Sequence, residues 1–75
     1  MAKQRKHFFL CINNDGYRAS LESRKVYVAL KDKVAEAKGY LRIVDDTGED
    51  YLYPTSRFVE IEVPRQAKGA FADVA

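Results

Sequence analysis

Residues Gly48–Pro64, "GEDYLYPTSRFVEIEVP", are the most ordered stretch of this chain. A glycine late in "DTGE" suits a tight hairpin connection. "EDYLYP" then reads as the returning strand, and Pro54 ends its pairing because proline offers no N–H to a neighbouring strand. Thr55-Ser56-Arg57 is long enough for a single tight turn. "FVEIEV" alternates apolar and acidic, the period of a strand with one dry face. The expected orientation puts Val59, Ile61 and Val63 inward and Glu60 and Glu62 in water, with Pro64 as the stop. Hairpin, proline, tight turn and strand in that order carry a chain from one sheet edge to a strand that closes a small barrel.

The upstream sequence supplies the other strands. "HFFLCI" is a short β run ended by the turn cluster Asn13-Asn14-Asp15-Gly16. Phe8, Leu10 and Ile12 fall on one side and Phe9 and Cys11 on the other, which suits a strand covered on both faces. A long irregular stretch, "GYRASLES", follows, with Leu21 as its one strongly apolar anchor. "KVYVAL" is the second strand. "DKVAEAKG" breaks the β pattern, with Asp32 as an N-cap, helix formers from Val34 to Lys38, and Gly39 fit for a left-handed position after one or two turns. "YLRIVDD" resumes the alternation, placing Leu41 and Ile43 opposite Tyr40, Arg42 and Val44. Five short strands on so few residues manage their exposed edges best by curling into a barrel. The expected fold is therefore all-β, with one brief helix between strands and a tight turn before the last.

The totals agree. Seventy-five residues, 47% of them hydrophobic and 32% charged, allow one domain with a thin core. The expected organisation is a basic flexible N-terminal tail over residues 1–7, the barrel over 8–64 and a flexible C-terminal tail over 65–75. The net charge of +2 is concentrated in that first tail, in Lys3, Arg5 and Lys6, which weakens any reading of the body as an electrostatic platform for nucleic acid. The single cysteine, Cys11, excludes an internal disulfide and suits a reducing compartment. The apolar run after the basic start is too short for a signal core, and no segment approaches the ~20 apolar residues of a membrane span. The chain is expected to be cytoplasmic.

At "FFLCI", "NNDGYRASLES", "RKVYVAL", "LRIVDDTGEDYLYP", "TSR" and "FVEIEV" the chain resembles the Src-homology-3 (SH3) family of small barrels. That family runs, in order, through an N-terminal strand, a long irregular loop, a second strand, a central hairpin, a proline, one tight helical turn and a last strand. The chain is also similar to short stand-alone bacterial barrel proteins of unassigned activity. The resemblance implies the SH3-like fold. It does not extend to the groove with which peptide-binding members grip proline-rich ligands. There is no tryptophan, Asn13-Asn14 stand where those members place tyrosines, and Arg57 stands where they have a tyrosine in the turn after proline. Without stacked aromatic walls a polyproline helix has little to dock against.

Catalytic and metal chemistry find little support. Asp45, Asp46, Glu49 and Asp50 crowd one hairpin without the spacing of a calcium loop and read as a solvated turn. His7 and Cys11 lie about 13 Å apart along a strand, too far for proton transfer, and Cys11 reads as a small buried apolar residue. Ser20, Ser23 and Ser56 have no histidine partner except His7. The interior of so small a barrel is expected to be filled by its own side chains. The sequence thus predicts no enzyme, no cofactor and no metal. It predicts a protein-interaction module that meets an unknown protein partner through Tyr17, Arg18 and Arg57. The second reading is a nucleic-acid-binding barrel, with Lys3, Arg5 and Lys6 on phosphates and exposed tyrosines under bases.

Overall fold

A computed structural model describes residues 7–68. Its elements follow the expected order with boundaries within two residues. The strands are β1 (His7–Cys11), β2 (Val26–Leu30), β3 (Tyr40–Val44), β4 (Asp50–Pro54) and β5 (Phe58–Ile61). Helix α1 (Lys33–Ala37) lies between β2 and β3, a 3₁₀ turn (Thr55–Arg57) between β4 and β5, and a four-residue helix α2 (Arg65–Lys68) after β5. β1 begins at His7, one residue before the expected barrel boundary. The chain beyond Pro64 is helical as far as Lys68, and residues 69–75 and 1–6 fall outside the described residues.

The five strands form one antiparallel sheet in the order β4-β3-β2-β1-β5, a small barrel-like all-β fold. Sequence neighbours pair throughout except at the last step, where β5 crosses to lie beside β1. The 3₁₀ turn makes that crossing possible. Pro54 is extended (φ −61°, ψ 136°), and after three residues Phe58 is extended again, so the chain leaves one strand and re-enters another within a single turn. Local chemistry sets the other breaks. The Asp32 carboxylate accepts from the Ala35 N–H at 3.0 Å, capping α1. Gly39 and Gly48 take φ of +86° at the end of α1 and in the β3–β4 turn, a left-handed conformation that is strained for any side chain with a Cβ.

The core lies on one face of the curved sheet. Cys11, Tyr27, Ala29, Leu41, Ile43, Tyr53 and Phe58 come from the five strands and Leu21 from the long loop, and all eight are buried. Phe58 meets Phe9, Tyr27 and Tyr53 edge-on at centroid distances of 6.3–6.5 Å, the arrangement aromatic rings prefer. This aromatic knot corrects the expected orientation of β5. Phe58 takes the interior opposite Cys11, so the alternation sends Val59 and Ile61 to the outer face, where Val59 is 47% exposed. Glu60 falls on the core side, at its rim. The larger apolar group captured the interior position, and strand parity fixed the rest.

The outer face is apolar in its middle. Val44, Val28, Phe8 and Ile61 stand in register across β3, β2, β1 and β5, and Phe8, Val28 and Val44 are buried. β1 and β2 are thus covered on both sides, as the two-sided apolar pattern of "HFFLCI" requires.

Candidate functional site

The surface that gathers the expected partner-binding residues is built from the long loop, the β3–β4 turn and the 3₁₀ turn. The loop is irregular in shape but tightly bonded. Tyr17 N–H donates to the Asn14 carbonyl at 2.8 Å, and Ser20 and Leu21 N–H both donate to the Tyr17 carbonyl. The Asn14 side-chain amide donates to the Leu21 carbonyl at 2.9 Å, and Asp15 N–H donates to the Asn13 side-chain oxygen. Asn13 and Asn14 therefore act as turn-formers, one reason asparagine is favoured in such loops. Leu21, with no exposed surface, pins the loop to the core. At the far end Arg24, with φ of 69°, returns the chain to β1, its N–H donating to the Cys11 carbonyl.

Tyr17 is half-buried. Its ring meets Tyr53 edge-on at 5.0 Å, and the Arg57 guanidinium lies over it, 5.4 Å from the centroid. Arg57 is fixed in turn by the 3₁₀ turn and by its carbonyl, which accepts from Ile12 N–H at 2.8 Å. The structure therefore brings Tyr17 and Arg57 together as a stacked pair. Arg18 follows Tyr17 in sequence but points into water, 79% exposed, 3.6 Å from Asp15. Lys3, Arg5 and Lys6 lie outside the described residues.

Beneath this pair is a polar network that sequence reasoning missed. Asp45, expected in a solvated turn, is 4% exposed. Its carboxylate accepts from the Tyr53 hydroxyl at 2.6 Å, the Thr47 hydroxyl at 2.5 Å and the Thr47 N–H at 2.9 Å. Burial opposes its charge, but the bonds from Thr47 and Tyr53 outweigh that and hold the carboxyl below the usual carboxylate range. Tyr53 is pushed the other way, to about 12, first by burial and then by the Asp45 charge it bonds. Ser20 Oγ completes this set, 2.8 Å from the Tyr53 oxygen. Asp46 forms a second set, accepting from Lys25 Nζ at 2.7 Å and from the Tyr27 hydroxyl at 3.0 Å, while Tyr27 accepts from Glu22 N–H. Burial above all pushes the Tyr27 hydroxyl well up.

The missed signal was available. The alternation of Leu41 and Ile43 along β3 puts Asp45 on the core side, and a carboxylate at a core-parity position must find donors. The acids of this hairpin are consumed by structure, Asp45 by Tyr53 and Thr47, Asp46 by Lys25 and Tyr27, Glu49 by Tyr51, and Asp50 by Arg42, which also bonds Asp32. Among the described residues no group of three or more His, Cys, Asp or Glu side chains could hold a metal ion.

The opposite end of the sheet is open. A pocket of about 280 Å³ is lined by Phe9, Ala29 and Leu41 on its floor and by His7, Lys31, Glu36 and Glu60 among its other walls. This departs from the expected fully filled interior. Glu60, on core parity, puts a carboxylate at this rim. His7 Nδ1 lies 3.2 Å from the Glu60 carboxylate.

Compared with known proteins, the chain matches no family model, and no curated protein or solved structure is significantly similar to it. Among the described residues, no helix is long and apolar enough to cross a membrane.

Proposed function

We infer that this chain is an SH3-like binding domain that recognises another protein through the Tyr17–Arg57 surface and is not specialised for proline-rich peptides. The SH3-like assignment draws support from the succession of elements: strand, long loop, strand, hairpin, proline, 3₁₀ turn, last strand. The binding role rests on one observation. Arg57 and Tyr17 form a rigid, partly exposed aromatic–guanidinium pair seated on a fully bonded network, and tyrosine and arginine are the residues enriched where proteins meet. Rigid side chains lose little entropy on binding, so such a pair favours association. With Arg57 occupying the position of a groove tyrosine, the surface offers charge where a polyproline helix would need an aromatic wall.

Described residues 7–68 carry ten basic and ten acidic side chains, a neutral body that draws no phosphate backbone by its overall charge. The nucleic-acid reading therefore depends on Lys3, Arg5 and Lys6. Two-dimensional NMR of the ¹⁵N-labelled protein against fractionated host lysate tests the proposal. Amides around Tyr17 and Arg57 are expected to shift with a protein fraction that survives nuclease and is lost on proteolysis. Shifts that vanish with nuclease, or none near these residues with any fraction, overturn it.

A further inference from the structure

Among the described cations of its surface, the Arg57 guanidinium alone lies over a tyrosine ring with no carboxylate within 4 Å. Lys25 and Arg18 each have a carboxylate within 4 Å, as does Arg42 elsewhere. Among the described residues Arg57 has no carboxylate at that distance, and its guanidinium lies over the Tyr17 ring. Arginine presents five N–H donors in a planar fork that matches an oxyanion bidentately, and contact with an aromatic face satisfies none of them. The fork is nevertheless held in place. Its backbone is bonded to Ile12 and its platform, Tyr17, is braced by Tyr53. A side chain ordered in this way, with its donors unmatched, is set up to receive an acceptor.

The surroundings narrow the acceptor's chemistry. Asp15 and Asp46 lie on the same loop-and-turn surface and Asp45 is buried beneath it, already engaged by Arg18, by Lys25 with Tyr27, and by Tyr53 with Thr47 respectively. They do not compete for Arg57, yet their negative charge disfavours a dianion more than a monoanion. With one unmatched guanidinium seated on an aromatic ring, the surface suits a singly charged, planar group.

We propose that Arg57, held over Tyr17, binds a carboxylate of the partner polypeptide, from an Asp or Glu side chain or a C-terminus. The inference rests on the binding role given above and adds the chemistry of the partner.

The test follows the Arg57 Nε–Hε resonance and the Tyr17 amide of ¹⁵N-labelled protein. The probes are a Glu-rich peptide capped at both ends, its Gln counterpart, and an uncharged peptide with a free C-terminal carboxylate. The two resonances are expected to move together and saturate with one or both carboxylate peptides, which also identifies the source of the carboxylate. The Gln peptide is expected to leave them unmoved. Arg57→Gln should weaken binding at least tenfold, Arg57→Lys should recover only part of it, and Arg18→Gln should change it less than twofold. Equal shifts with the Gln peptide, no response to either carboxylate peptide, or unchanged affinity in well-folded Arg57→Gln overturns the inference. Lysate protein that still binds the Tyr17 surface in Arg57→Gln removes the carboxylate and leaves the binding role standing. Absence of any protein-induced shift in the unmodified chain removes the binding role itself.

Discussion

The two ends of the sheet solve the same problem in opposite ways. At one end the long loop and the β3–β4 turn fold over the core. Leu21 supplies an apolar plug, and a buried Tyr53–Asp45 hydrogen bond is flanked by part-buried bonds from Thr47 and Ser20. At the other end, Phe9, Ala29 and Leu41 run out to a pocket rimmed by His7, Lys31, Glu36 and Glu60. The sealed end has dry polar groups that must all be satisfied, so its geometry is exacting. The open end has wet charges that water serves equally well, so its geometry is loose. Rigidity is thus concentrated beneath Tyr17 and Arg57, which is where a preorganised binding surface gains most from it.

Substitutions can break that contrast, beginning with the largest effect. Leu21→Ala at the sealed end is expected to cost about 2–5 kcal/mol, the range for emptying a fully buried leucine site. Phe9→Ala at the open end should cost about 1–2 kcal/mol, because its ring is only partly buried and fully burying such a side chain is worth about 1.5–3 kcal/mol. Urea denaturation of both variants checks the ranking, and equal losses would erase the distinction between the ends.

Asp45→Ala follows, at about 1–3 kcal/mol, since it leaves the buried Tyr53 hydroxyl short of an acceptor. The same residue gives the pH dependence its sign. A carboxyl held below its unfolded value of about 3.9 contributes stability that is complete above that pH and is lost as pH falls through the lower, folded value. Tyr53, raised to about 12, contributes in the other direction. Its share is complete below about pH 10 and is lost as pH rises toward 12. Equilibrium unfolding across both limits should show two flanks, and Asp45→Asn should flatten the acid one. An unchanged acid flank in that variant would place the titrating group elsewhere.

Gly48→Ala tests the turn that presents Asp45. The added Cβ meets nothing within 4 Å, so the cost is conformational alone, about 1–2 kcal/mol for a left-handed position. Smallest of all, Glu60→Gln at the open rim is expected to change stability by less than about 0.5 kcal/mol, as for an exposed polar contact. A loss as large as that of Asp45→Ala would show that the open rim is structurally committed after all.

The element order was legible because each boundary has a local cause. Asp32 caps α1, Gly39 and Gly48 turn the chain, and Pro54 ends β4, each acting through its own backbone and nearest neighbours. Which residues share a face of β1 and β3 was legible from alternation, though not which face of β1 enters the core. β5 was not, because its alternating valines and isoleucine gave a clean pattern with the wrong side inward, and only the contacts of Phe58 with three other rings reverse it. At the candidate site the sequence singled out Tyr17, Arg18 and Arg57. It could not pair Tyr17 with Arg57 across 40 residues, nor separate Arg18, which turns into water.

Composition and local pattern by themselves determined that the described residues form a small all-β fold of five strands with a helix and a 3₁₀ turn at fixed places, because caps, turns and strand period are short-range effects. Tertiary structure alone decided which face of β5 enters the core, that Asp45 is buried, and that Arg57 lies over Tyr17 with its donors unmatched. Those outcomes depend on which side chains far apart in sequence compete for the same volume and the same hydrogen bonds, and that competition is resolved only when the sheet closes around its core.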